Sequence, residues 1–150
     1  LPSDYISDQR QKIEIYKRIR EIESRTYYQD LQDELIDRFG EYPDTVAYLL
    51  EIGLLKYFSD QALVDKIDKQ LTTIVYMMSK AATHTFMPQD YFDALSKTQL
   101  KAKIGETSGQ MVIRFDIRNL SAATYLSEII SFTERLSAIR DEKTNEKTGN

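Results

Sequence analysis

The residues best placed to do chemistry are carboxylates. Asp30, Asp33, Glu34, Asp37 and Glu41 fall within one short stretch. On a helix the first four lie within about 100° of arc, a single face. Paired carboxylates can cleave a glycosidic bond, but a sugar cleft is usually lined with Trp and the chain has no Trp. What remains for such a cluster is recognition, because carboxylates accept charge-assisted hydrogen bonds from guanidinium and ammonium groups. The pairs 30/34 and 33/37 set like charges four residues apart, a spacing that weakens a helix slightly. Asp37 also sits near a helix C-terminus, where the macrodipole disfavours an anion. Two readings stand: a solubilising acidic face, or a docking surface for a basic partner.

Other chemistry finds no footing. The one histidine, His84, has no cysteine and no Asp or Glu at ligand spacing. Five scattered glycines form neither a phosphate loop nor a dinucleotide fingerprint. A nucleophile elbow, a zinc-protease helix and a cysteine nucleophile are all missing from the sequence. No catalytic residue, metal ligand or cofactor is therefore expected within these residues. A net charge of −4 and a pI near 5.1 argue against nucleic-acid binding on average. The most basic segment (Arg10, Lys12, Lys17, Arg18, Arg20 and Arg25) keeps an accessory nucleic-acid-binding module open as the alternative. Glu14, Glu21 and Glu23 stand at the spacing that would neutralise it.

The elements that position these groups follow from periodicity. A first helix is expected from about Asp8 to Ser24, with Ile15, Tyr16, Ile19 and Ile22 toward the core. The second runs from about Tyr27 to Phe39 and buries Tyr28, Leu31, Leu35 and Phe39. Gly40 suits a left-handed helix end, and Pro43 the first turn of a third helix. Val46, Leu49, Leu50, Gly53, Leu54 and Tyr57 mark that helix's inner face, with Gly53 admitting a close neighbour. Ser59-Asp60-Gln61 reads as a turn. Strands are expected over Val64–Lys69, Leu71–Met78, Lys101–Glu106 and Gln110–Ile117, the first pair joined at Asp68-Lys69-Gln70 and the second at Thr107-Ser108-Gly109. Pro88, Tyr91, Phe92 and Leu95 suggest a short helix over the sheet. Asn119 or Ser121 can cap a long last helix, and 141–150 is expected to be a disordered tail. The fold class is α+β: a three-helix half over 1–58, then over 60–140 a small, mainly antiparallel sheet carrying a short and a long helix. Both halves are read as one domain.

No run of apolar residues is long enough for a membrane span, and the absence of cysteine fits a cytoplasmic protein. The chain starts at Leu1 rather than Met and ends in a polar tail, as a piece of a longer protein would.

The order Tyr5-Ile6, Lys12-Ile13, Tyr16-Lys17-Arg18-Ile19, then Glu34-Leu35-Ile36-Asp37-Arg38-Phe39-Gly40 and Pro43 resembles the C-terminal domain of bacterial transcription-repair coupling factor. The likeness is strong over 1–58 and weaker beyond. It implies the last module of a large ATP-dependent DNA translocase that displaces stalled RNA polymerase and recruits UvrA in nucleotide-excision repair. ATP and Mg would belong to motor domains outside this chain, as would the double-stranded DNA contacts. It also implies an autoinhibitory role, in which this domain packs on a UvrB-like module of the same polypeptide and hides the UvrA surface. The resemblance further implies that Glu34 and Asp37 occupy the positions that face arginines of that module. Asp30 and Asp33 extend the same face by position alone. Arg38, Phe39, Gly40 and Pro43 form the structural part of the motif.

Overall fold

A computed structural model describes residues 1–148. It divides into two compact units, one over Leu1–Tyr57 and one from Phe58 onward, where the sequence reading takes one domain in two halves.

The first unit holds α1 (Gln9–Arg20), α2 (Arg25–Phe39) and most of α3 (Asp44–Gln61). Asp8 starts α1, its Oδ1 accepting from the backbone N–H of Arg10 and Gln11 at 2.8 and 3.2 Å. The helix stops at Arg20, four residues short of the expected end, because Ser24 begins α2 instead. Its Oγ accepts from the Tyr27 N–H at 3.0 Å, one of the donors a helix start leaves unpaired. Ile15, Ile19, Ile22, Leu31, Leu35, Val46, Leu50 and Leu54 build this unit's core. Tyr16 does not join them, being exposed. Its hydroxyl meets the Leu1 ammonium instead.

Gly53 lets α3 approach α1. A Cβ there would lie 2.9 Å from the Ile19 carbonyl oxygen and 3.0 Å from Ile19 Cγ2. Residues 59–61, read as a turn, are helical. The left-handed break comes at Leu63, with φ 62°.

The second unit is built on a four-stranded antiparallel sheet in the order β1-β2-β4-β3: β1 (Val64–Lys69), β2 (Thr73–Met78), β3 (Lys101–Thr107) and β4 (Gln110–Asp116). The β1–β2 turn falls at Gln70, Leu71 and Thr72, closed by Gln70 N–H donating to the Thr73 carbonyl at 2.8 Å. Leu71, expected inside a strand, is therefore in the turn and 93% exposed. Alternation along β2 and β4 places Tyr76 and Phe115 on one face, where they meet Phe132 with ring centroids 4.9–5.9 Å apart. The buried Tyr76 hydroxyl lies 2.8 Å from Thr133 Oγ1, so this polar pair satisfies itself inside the core.

Between β2 and β3 lie α4 (Lys80–Thr85), which the sequence reading does not foresee, and α5 (Pro88–Leu95). Exposed His84 sits on α4. Pro88 opens α5, and the Met87 N–H donates to Asp90 Oδ2 at 2.7 Å. Tyr91 is buried, but Phe92 points outward at 57% exposure. The helix packs against α6 (Ala122–Thr148). Arg135 on α6 grips Asp93 with two nitrogens, at 3.2 and 3.0 Å.

Ser121 is the cap of α6, its Oγ accepting from the Thr124 N–H at 3.2 Å. The helix continues through 141–148, contrary to the expected disordered tail. Arg135 reaches Glu142 at 2.9 Å and Lys143 reaches Asp90 at 2.9 Å, so side chains tie that turn down. Gly149 and Asn150 lie outside the described residues.

Two measurements test this packing. Gly53→Ala should destabilise the chain by about 1–3 kcal/mol in chemical denaturation, because the new methyl meets backbone that cannot swing away. The second concerns acid. The Arg135 fork lowers the Asp93 pKa, and the Arg118 side chain and N–H hold Asp116 at about 2. Both folded values lie below the unfolded value of about 3.9, so their stabilisation is present above that pH and lost as pH falls through the folded values. The Tm gap between the unsubstituted chain and Arg135→Ala should therefore be widest above about pH 4 and narrow as pH falls below it.

Candidate interaction surface on the first unit

The corner between α2 and α3 orients the acidic face. Gly40 adopts φ 83° and ψ −175°. This is a more restrictive conformation than the left-handed helical one expected, and is open essentially to glycine alone. A Cβ here would touch nothing within 4 Å, so the requirement is conformational. The Tyr5 hydroxyl donates to the Gly40 carbonyl just past the helix end at 2.8 Å and also lies 3.2 Å from the Leu35 carbonyl. Its ring packs on Phe39 at 5.9 Å, and the Arg38 guanidinium sits 5.0 Å from the centre of that same ring. Pro43 stands just before α3 and not within it. Its carbonyl accepts from the N–H of Val46 and Ala47 at 3.0 and 3.2 Å. Gln32 braces the corner by donating to the Tyr42 hydroxyl at 2.9 Å.

Against this frame the four carboxylates separate. Glu34 lies at the edge of the face nearest α1, where Arg18 pairs with it and Arg38 reaches it at 3.1 Å. Arg38 also comes within 3.6 Å of Glu14. Burial works against the Arg18 charge, but its hydrogen bonds to Tyr27 and Glu34 outweigh that and raise its pKa. Glu34 is thus half-neutralised by its own unit, where the sequence reading leaves it available. Asp30, Asp33 and Asp37 form the crown of the helix, exposed and without an ion pair or hydrogen bond among the described residues. Ile36, beside them, is 44% exposed.

The basic first helix looks different once folded. Lys12 is buried, its Nζ donating to Ser3 Oγ at 2.8 Å. Arg18 is spent on Glu34, and Lys17 lies 3.9 Å from Glu21. Arg25 is not free either. Only Arg10 and Arg20 keep exposed charges with no described partner, too few for an electrostatic footprint.

Sequence reasoning missed the Tyr5 anchor and the Glu34 pairing. Tyr5 lies 35 positions from Gly40, and no local pattern joins them. Arg18 and Glu34 lie on different helices, so a helical wheel of either one cannot show their meeting.

Comparison with known proteins bears on the whole chain. A family model described as the TRCF domain matches residues 1–89. The transcription-repair-coupling factor of Bacillus subtilis (strain 168) is 28% identical over 142 residues, covering 95% of this chain and 12% of that protein. That of Staphylococcus aureus (strain USA300) is 32% identical over 139 residues, with 91% and 12% covered. The chain thus spans about an eighth of the length of these curated relatives. The solved crystal structure of the C-terminal domain of transcription-repair coupling factor superposes with a TM-score of 0.91. It is 49% identical and covers 95% of this chain and 88% of its own.

The separation of the carboxylates can be measured. Glu34→Ala should cost about 0.5–1 kcal/mol of stability, because it strands Arg18 and Arg38. Asp37→Ala should be neutral or stabilising by about 0.3 kcal/mol, since it relieves like-charge and dipole repulsion. Urea melts of the two variants should shift in opposite senses or, at least, differ in this order.

Proposed function

The chain belongs to the TRCF domain family, and we propose from that membership that it is a regulatory module acting by docking, with no catalysis of its own. Its parent would be the ATP-dependent DNA translocase that displaces stalled RNA polymerase and recruits UvrA. The module would dock on the UvrB-like part of the same polypeptide and mask the surface that UvrA uses. ATP, Mg and the DNA contacts would then belong to domains outside this chain.

One observation carries the reading. Three exposed aspartates on a single helix face remain unpaired among the described residues, while the neighbouring Glu34 is paired at home. An acidic face that merely solubilises gains nothing from charge set against its own helix dipole. A partner presenting arginines would relieve that repulsion and form forked, charge-assisted hydrogen bonds. Asp37 would lead the contact, with Asp33 and Asp30 beside it and Ile36 as an apolar edge. Glu34 would contribute by holding Arg18 and Arg38 away from the crown, and by sharing its second oxygen with an incoming guanidinium. A few such pairs give specificity without great strength, as a releasable latch needs.

The test uses the full-length parent. Asp37→Ala with Asp33→Ala should leave the chain folded and raise UvrA affinity at least about fivefold, the low end of ordinary allosteric coupling. Equal UvrA affinity in variant and parent would sink the latch.

A further inference from the structure

We infer that the exposed face of the β3–β4 hairpin is a second docking surface, fitted to an acidic protein segment that carries an apolar residue. It uses residues of the second unit only, so it stands or falls separately from the α2 face.

The observation is a charge arrangement the sheet does not need. Lys101 and Lys103 on β3, and Arg114 on β4, lie on the face opposite Ala102, Ile104 and Phe115. With Thr73, Asp116 and Arg118 they line a shallow hollow of about 560 Å³. Strand register sets Lys103 directly across from Arg114, and Lys101 across from Asp116. Like charges directly opposed weaken a sheet. Lysines on an edge strand can serve simply to stop it pairing with another chain. Arg114, however, is on a central strand, flanked by β2 and β3. Neither the Lys103 nor the Arg114 side chain has an ion pair or hydrogen bond among the described residues. Four cations face one carboxylate here, in a chain whose net charge is −4.

The hollow itself shows how a carboxylate sits. Arg118 holds Asp116 through two nitrogens, at 3.1 and 2.9 Å. Arg114 can offer the same fork to a guest. Three features favour a protein guest over nucleic acid. The cationic hollow itself is lined by no aromatic ring among the described residues, since Tyr76 and Phe115 point to the other side of the sheet and Tyr125 lines only the hollow next to it. The negative remainder of the chain repels the dense, continuous charge of a duplex more than the few carboxylates of a short segment. Exposed Leu71 and Leu120 border the same region, lining an adjoining hollow that shares Thr72 and Arg118. They offer an apolar anchor beside the cations, as protein interfaces do.

The test is an amide-shift NMR titration of the chain with a short synthetic peptide of repeated Glu-Leu-Glu units, run in parallel with a short DNA duplex. The peptide should perturb residues 101–103, 114–118 and 71, and salt should weaken it. Lys103→Glu with Arg114→Glu should lose at least tenfold in affinity, and Leu71→Ser should weaken the peptide. Lys103→Glu alone converts a repulsive pair into an attractive one. It should raise Tm by about 2 °C while weakening the peptide, a combination that a purely structural role does not produce. Peptide binding that is undetectable, or that survives Lys103→Glu, overturns the proposal. So does a duplex that binds these residues more tightly than the peptide.

Discussion

The backbone of Gly40 is the constraint on which the first unit depends. Its conformation sets the direction in which the chain leaves α2, and that in turn decides which face of α2 is left for solvent. The surroundings hold it from two sides. Tyr5 ties the N-terminal segment to the carbonyls at the corner, and Arg38 lies over Phe39 while its Nη1 reaches both Glu34 and Glu14. A residue with a Cβ would have room here but not the backbone angles. The corner is therefore a backbone requirement that glycine meets without strain, and the acidic crown is what that geometry presents.

Charge in the first unit is then easy to follow. Three of its basic residues, Lys17, Arg18 and Arg38, face its own glutamates. Its aspartates do not share in this. Position on the helix explains the division: Glu34 stands at the edge nearest α1 and meets Arg18, while the aspartates are exposed on the rest of the face. A stretch that reads as five equivalent acids thus folds into one internal partner and three outward ones, with Glu41 beyond the corner. The second unit has the converse arrangement on its sheet, where cations outnumber their carboxylate.

Much of this was legible in the sequence. The α+β class, the three leading helices, the four strands and the long last helix follow from periodicity, and Gly53 as a close-approach site from its place on a buried stripe. The boundaries were less legible, for identifiable reasons. Ser24 could end α1 or begin α2, and only its hydrogen bond to Tyr27 decides. Residues 59–61 are polar but carry no strong helix breaker, so α3 runs on. The last turns of α6 are polar enough to suggest disorder, and ion pairs to α5 and within α6 hold them helical. At the candidate site, the acidic face was visible from spacing on one helix. The pairing of Glu34 was not, because it belongs to two.

The turn between β3 and β4 has a consequence for how this family can vary. Ser108 and Gly109 both take positive φ, 53° and 81°, in a two-residue connection flanked by the Thr107–Gln110 pair. Such a turn fixes which residue stands opposite which. Side chains alternate across the sheet, so a single inserted residue would rotate one strand's cations inward and its apolar residues out to water. Length changes at this hairpin should therefore be rare among relatives, or come in steps that restore the alternation. This two-residue loop is in that sense among the least negotiable in the second unit, even though its tip is exposed.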